Sequence, residues 1–455
     1  MNRMPIFTLA LLASALAYAV FESGGVVRAD WNVSLALIGA GVLLYWVRVR
    51  PSDLAPPLEP GLRWPLLLLP AYVLLQLAPL PVALLRLLSP ARAELAAATA
   101  SVLPPAGLAP LSVNPPATLE HLLRLCAYVA AFLLVRELAW RLDRRPWLPI
   151  LPLAGIAAAE AVLGIAGSHT TGFAHGTYVN RNHFAGLLEL ALPFAAAYAI
   201  AALCRGRGPL SLRRAMAACL GLGAASLMFV AVLLSVSRTG FLASIAGLLV
   251  VAVCGIAARR WLLFGGALAA AILVALLWLP PDALMDRLTS LSAPGEISTD
   301  TRLAIWADTL RLVKAYPVFG AGAGAYESAL YRYKTAAPLN TVDYAHNDYL
   351  QLLAELGAVG VILLAVAWFA LVRKLVRDIR TLDGRSRYVS VASLGALAAI
   401  SLHSLADFNL YIPANALALA WIAGVAAAGR VATPAPDRAW KAVGFRPAVE
   451  VKAAK

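Results

Sequence analysis

AMAACLGLGAASLMFVAVLLSVSRTGFLASIAGLLVVAVCGIAA, residues 215–258, decides the fold class. Two apolar runs of about twenty residues, each long enough as an α-helix to cross roughly 30 Å of hydrocarbon, flank the turn SVSRTG at 235–240. Arg238 is the stretch's one charge. A helical hairpin facing water would interleave polar residues every three or four positions, and here every face is apolar. The rest of the chain matches it. Of 455 residues, 61% are hydrophobic and 14% charged, against about 45–50% and 25% in soluble domains, and the mean hydropathy is +0.77. A soluble enzyme, a disordered chain and a collagen-like repeat are excluded. The expected fold is an all-α polytopic integral membrane protein.

Blocks bounded by charge, Pro and Gly predict about twelve transmembrane helices, at 5–21, 31–47, 64–85, 118–135, 147–166, 183–204, 215–235, 240–258, 261–279, 351–372, 388–405 and 411–428. The first block ends like a signal-peptide cleavage site, but only Arg3 precedes it and a second apolar block follows closely, so it reads as a span. With both termini cytoplasmic, about 26 of the 38 Lys and Arg residues fall on the inner side, as the positive-inside rule requires. The organisation is then helices one to nine over 1–279, a long outer loop over 280–350, helices ten to twelve over 351–428 and a basic cytoplasmic tail over 429–455. The net charge of +14 does not imply nucleic acid, because the basic residues sit in short clusters between apolar blocks. Cys126, Cys204, Cys219 and Cys254 lie in or beside apolar blocks with no CxxC, and read as small core residues.

The outer loop is the only long hydrophilic stretch between expected spans, and site chemistry is expected there. In TDTRLAIWADTLRLVKAYP, residues 299–317, Leu303, Trp306, Leu310 and Val313 recur at helical spacing, which predicts a helix with that face on protein or membrane. Arg302 lies in its first turn, while Arg311 and Lys314 read as solvated charges. VFGAGAGAYESALYRYK, residues 318–334, alternates Gly320, Gly322 and Gly324 with small residues. A cradle of backbone amides for an anion and a plain turn between helices both fit that pattern.

TVDYAHNDYLQLLAELGAVG, residues 341–360, sets His346 and Asn347 at the water boundary ahead of a membrane helix. An imidazole there can move protons near neutral pH, so His346 stands ahead of His121, His169, His175, His183 and His403 as an acid–base group. Arg238 lies at the outer end of its hairpin, an expensive place for a charge unless it meets an anion. Arg181 in TYVNRNHFAG and Asp407 in SLADFNLYIP end helices on the same side; snorkelling to lipid headgroups is the structural alternative for such charges. No metal pattern is visible: His169, His175 and His183 lack zinc spacing, and Glu22 and Asp30 are too far apart for an acidic pair. Arginine would have to neutralise phosphate instead, and no cofactor is expected.

Taken in order, SVSRTG with Arg238, the R-x-x-x-W helix of Arg302 and Trp306 followed by P-x-x-G-x-G, and HNDYLQLLAELGAVG with His346, Gly357 and Gly360 resemble the bacterial O-antigen ligase and polymerase superfamily. These are metal-independent, GT-C-like membrane glycosyltransferases, and the resemblance covers roughly residues 180–430. It implies an inner-membrane enzyme that moves a glycan from undecaprenyl diphosphate to an acceptor hydroxyl on the periplasmic face. The acceptor is lipid A core in the ligase branch and another lipid-linked repeat in the polymerase branch. The resemblance implies that Arg238 and Arg302 bind the donor diphosphate and that His346 activates the hydroxyl. Arg181, Asn347 and Asp407 are further candidates for binding substrate or orienting the histidine. YVNRNHFAG and DFNLYIPANA look like stretches of exopolysaccharide polymerases in the same superfamily, but the motifs do not separate the two branches.

A base attacking opposite the departing diphosphate predicts inversion at the anomeric carbon, with arginines stabilising the charge that develops on the leaving group. A lipid-facing groove is expected between the outer loop and the seventh, eighth and tenth spans. The alternative is a transporter or flippase of lipid-linked glycan, which usually carries ionisable groups near the midplane and broken helices or an inverted repeat. Glu160 and Glu189 alone fit that description. An inert scaffold would need none of Arg238, Arg302 and His346.

Overall fold

The computed structural model describes residues 4–49, 54–99, 107–204, 210–255, 299–335 and 341–428. The expected ninth span at 261–279, residues 280–298 of the outer loop and the tail at 429–455 lie outside the described residues. In chain order the α-helices are α1 (Met4–Phe21), α2 (Arg28–Arg48), α3 (Pro60–Leu77), α4 (Val82–Leu88), α5 (Pro90–Thr99), α6 (Pro115–Arg141), α7 (Leu151–Thr171), α8 (Arg181–Cys204), α9 (Leu212–Leu234), α10 (Arg238–Gly255), α11 (Thr299–Ala315), α12 (Tyr326–Leu330), α13 (Asp348–Thr381), α14 (Gly384–His403) and α15 (Pro413–Ala427). Two short strands, β1 (Leu80–Pro81) and β2 (Leu108–Ala109), pair antiparallel.

Among the described residues six helices are long and apolar enough to cross a membrane: α2, α7 with its lead-in from Leu148, α8, α9, α10 and α13; α1 and α15 are shorter apolar helices. These six do not confirm the expected count of about twelve, whose ninth span lies outside the described residues. Helices also stand at three further expected spans, with charge or proline in or beside them: α3 holds Arg63, Pro65 and Pro70, α6 holds Glu120, Arg124, Arg136 and Glu137, and α14 opens with Arg385 and Arg387. The expected helix at 64–85 also stops early. Pro79 holds Ala78 extended, with ψ 130°, so α3 ends at Leu77 and the chain turns into β1, α4 and α5. That unforeseen segment docks through Ser112 N, which donates to Gln76 O at 2.9 Å, and Val113 N, which donates to Ala321 O at 2.8 Å.

The centre of the bundle is α8, buried from Arg181 to Ala197 without a break. Its neighbours approach through small residues, the means by which helices associate where no hydrophobic force separates them from lipid. Gly221 of α9 meets Ala195 and Ala199, and Gly240 of α10 meets Ala185; Gly247 of α10 and Gly395 of α14 close on each other beside Pro193. Large apolar side chains such as Leu43, Val47, Leu212, Leu220, Val253 and Phe369 are left exposed, where a bilayer would cover them. The cysteines are free, but they are not core residues. Cys126 and Cys219 are exposed, and Cys204 and Cys254 half-buried.

The buried face of α11 also differs from the expected stripe. Ile305, Thr309, Leu312 and Tyr316 are buried, while Leu303 and Leu310 are 53% and 46% exposed. The helix is turned because polar groups on it have internal partners. Thr309 Oγ1 shares a 2.7 Å hydrogen bond with Tyr326 OH, and buried Asp308 accepts Thr335 N at 2.8 Å and pairs with Arg311. Arg311 is thereby a structural anchor.

Candidate functional site

The N-terminal turns of α8, α10 and α13 and the connection from α14 to α15 converge at one end of the bundle. The turn into α10 is built by two serines. Ser235 Oγ donates to Val232 O at 2.7 Å and accepts Ser237 N at 3.2 Å, and Ser237 Oγ accepts Gly240 N at 3.2 Å as the helix cap. Between them Val236 takes φ +56°, a strained value for a β-branched residue. Arg238 follows as the exposed first residue of α10, while the contact of Gly240 with Ala185 sets this turn beside that of α8, which carries Arg181 and His183.

His346 is held by bonds on both sides of it. Ala345 N donates to Gln351 Oε1 at 2.8 Å, and Trp306 Nε1 donates to Ala345 O at 2.9 Å. Asn347 Oδ1 accepts Leu350 N at 3.0 Å as the cap of α13, its Nδ2 donates to Leu405 O at 2.9 Å, and Asp348 N donates to Ser404 O and Asp407 O. These bonds impose φ +50° on His346. Its imidazole stands edge-on to Phe408, 4.9 Å between ring centres, and Phe408 stacks on Tyr344 at 4.1 Å.

Three imidazoles surround the carboxylate of Asp407, which is 1% exposed. His183 Nε2 lies 3.5 Å and His346 Nδ1 3.9 Å from Oδ1, and His403 Nε2 lies 4.0 Å from Oδ2. Phe408 N donates to Oδ1 at 2.8 Å. Burial acts to raise Asp407, but the gathered imidazoles, His183 foremost, outweigh it and hold the group below the usual carboxylate range. His346 is pushed down to about 4, by burial first and by the charge of Arg302 and His183 against the opposing pull of Asp407. At neutral pH it is an unprotonated imidazole beside an ionised carboxylate, the state a general base needs. Arg302 sits one turn before Trp306 on α11, on the face turned to Ala345, and its Nε makes no hydrogen bond among the described residues.

Residues 223–365 match the family model for O-antigen ligase. Over this segment the chain is similar to the O-antigen ligase family. No curated protein matches the chain. The matched segment contains Arg238, Arg302 and His346; Arg181, His183, His403 and Asp407 lie outside it.

Of the residues singled out from sequence, the fold brings His346, Asp407 and Arg302 together. Arg181 is buried over the Phe173 ring at 4.9 Å, near the site through its neighbour His183. Asn347 spends both ends of its amide on the helix cap and on Leu405, so it positions the loop. The glycine run does not form an anion cradle: the amides of 320 to 325 donate to Tyr316 O, Ala354 O, Glu355 O, Gln76 Oε1, Glu355 Oε2 and Gly322 O. The glycine run is a turn locked against α13, where Gly357 breaks the helix at φ +60°.

His183, His403 and Glu189 were not foreseen as site residues. The visible signals were the i, i+4 spacing of His403 and Asp407 and the place of His183 two residues after Arg181. The tenth expected span, α13, borders a cavity, as expected of a groove there. This cavity of about 350 Å³ opens between α3, α6, α13 and α15, away from α9 and α10. Leu69, Leu125, Phe132, Leu363 and Trp368 line it, with Arg124, Glu355 and Tyr411 among its few polar groups.

Proposed function

We propose that this chain is a membrane glycosyltransferase that moves a glycan from undecaprenyl diphosphate to an acceptor hydroxyl on the periplasmic face. The observation that carries the reading is His346, a half-buried neutral imidazole between Arg302 and Asp407 within the segment that matches O-antigen ligase. His346 takes the proton of the acceptor hydroxyl as that oxygen bonds to the anomeric carbon, and the bond from that carbon to the diphosphate oxygen breaks. The diphosphate leaves with its electron pair toward Arg238 and Arg302, whose fixed positive charge favours the transition state over the ground state. Asp407 keeps a proton on His346 Nδ1, which reserves the other nitrogen for the acceptor. Attack opposite the leaving group inverts the anomeric configuration, and arginines do the neutralising work without a metal.

The apolar cavity suits an isoprenoid or acyl chain, since it lies within the helical bundle and its polar rim reaches Tyr411 beside Tyr344. The transport reading would need mid-membrane acids ready to bind a co-ion. Glu160 instead accepts Thr177 N at 2.6 Å, and Glu189 is bonded to His403 at 2.8 Å.

The test is purified protein in liposomes with undecaprenyl-diphosphate glycan, with and without lipid A core, followed by gel and mass spectrometry. Glycan on the core defines a ligase, and longer lipid-linked chains without core define a polymerase. His346→Ala is expected to abolish either product. Equal products from wild type and His346→Ala, or none with a verified donor, overturn the reading.

A further inference from the structure

Beneath Asp407 lies a second pair of ionisable groups that the transfer mechanism above does not use. His403 ends α14 and Glu189 sits two turns into α8; both side chains are wholly buried. His403 Nδ1 is 2.8 Å from Glu189 Oε2, and its Nε2 faces Asp407 Oδ2 at 4.0 Å. Nε2 and Glu189 Oε1 have no hydrogen-bond partner among the described residues. Carboxylate oxygens therefore flank both ring nitrogens. A neutral imidazole has one N–H and one lone pair, and would turn the lone pair on one of these anions; only the imidazolium suits both.

A buried ion pair is weak evidence for stability, because apolar side chains of like volume commonly do as well. Its place here points to another use. Asp407 must stay ionised in the bundle to hold His346, and it needs a cation that does not leave when substrate binds. Arg302 faces the site itself, whereas His403 is sealed behind it. The other titratable groups around His403 are His183 on α8 and Asp348 at the start of α13, and α10 carries only Arg238 and Cys254 at its two ends.

We propose that His403 and Glu189 are positioning residues for the transfer reaction: Glu189 keeps His403 an imidazolium, and His403 keeps Asp407 an ionised partner for His346. The idea rests on the transferase reading for its kinetic consequence, though not for the protonation state itself.

Two measurements separate these. In the first, protein with 15N-labelled histidine is placed in bilayers and its imidazole nitrogens are observed by solid-state NMR, with His403 assigned by its loss in His403→Gln. Protons on both nitrogens at pH 7, reverting to one in Glu189→Gln, are expected. A neutral His403 in the wild type, or no change in Glu189→Gln, overturns the proposal whatever the transfer assay gives.

In the second, transfer is measured in liposomes. Partners that orient a reacting group through hydrogen bonds are worth roughly ten- to a hundredfold, so His403→Gln should lower kcat by that factor with KM for donor and acceptor within about twofold. Removing a cation beside Asp407 and His346 makes both hold protons more tightly, so the acid limb of the kcat profile moves to higher pH. Where His403→Gln fails to fold, Glu189→Gln, which keeps size and one acceptor oxygen, is expected to show the same kcat loss. An unchanged kcat and acid limb, or an effect confined to KM, refutes the positioning role. A wild type that transfers nothing refutes the transferase reading, and the NMR result then still decides the state of His403.

Discussion

Trp306→Phe isolates the clamp on His346 from its chemistry. The Trp306 Nε1–H donates to Ala345 O at 2.9 Å, and Ala345 is wholly buried. Phenylalanine keeps most of the apolar bulk and cannot donate, so the Ala345 carbonyl loses its partner out of reach of water. Leaving a buried acceptor unmade costs about 1–3 kcal/mol. The loss falls where the backbone is already strained, since a non-glycine residue held left-handed costs a further ~1 kcal/mol or more and persists only while its surroundings enforce it. The bond from Ala345 N to Gln351 survives, so the loop stays attached but loses one side of its clamp. Taking about 2 kcal/mol as the bias toward relaxed loop conformers, the competent population and kcat/KM fall roughly thirtyfold. The assay is steady-state transfer in liposomes beside thermal unfolding in detergent. A folded Trp306→Phe protein that keeps more than a third of wild-type kcat/KM refutes the claim that this bond sets the histidine.

The pH profile of the wild type follows from His346, whose proton is held only below about 4: base activity is full at neutral pH and falls as pH drops through that value. An acid limb near the ordinary imidazole value of about 6.5 would contradict the burial argument. Arg302→Gln removes a cation that depresses His346, so the acid limb should move to higher pH while donor affinity weakens; a profile that stays in place means Arg302 does not act on the base. Gly357→Ala puts a side chain at φ +60° against the carbonyl of Val318, and should lower thermal stability by roughly 2 kcal/mol or prevent accumulation of the protein. Normal melting there would mean the break in α13 is not required.

The hairpin at 215–258 is legible because it needs one physical fact, the absence of a polar face over two helix lengths. It folds as α9 and α10, with SVSRTG as the turn. The errors arise where apolar content alone does not decide. Residues 64–85 look like one span by hydropathy, yet Pro79 ends α3 at Leu77, a local backbone rule that a window average hides. On α11 the apolar stripe through Leu303 and Leu310 points outward, because Asp308 and Thr309 are buried with partners from Thr335 and Tyr326. Periodicity read from one helix cannot include partners that arrive from residues 326–335.

The site divides in the same way. His346 and Arg302 stand out because each sits in a short stretch whose other letters are also unusual, and the structure supplies the reason for those letters. Of the non-glycine residues with positive φ among the described residues, Ser23, Val236 and His346, two lie in the turns SVSRTG and AHND. Strain of that kind relaxes unless neighbours forbid it. In the first turn Ser235 and Ser237 forbid it, and in the second Trp306, Gln351 and Asn347 do. The motifs are therefore as much clamp as chemistry, which is why they are short, local and readable. His183, His403 and Glu189 need no strained turn, because helices already fixed by packing carry them to Asp407. Their sequence surroundings are ordinary apolar helix, and only the folded contact of α8 with α14 reveals that three imidazoles share one carboxylate.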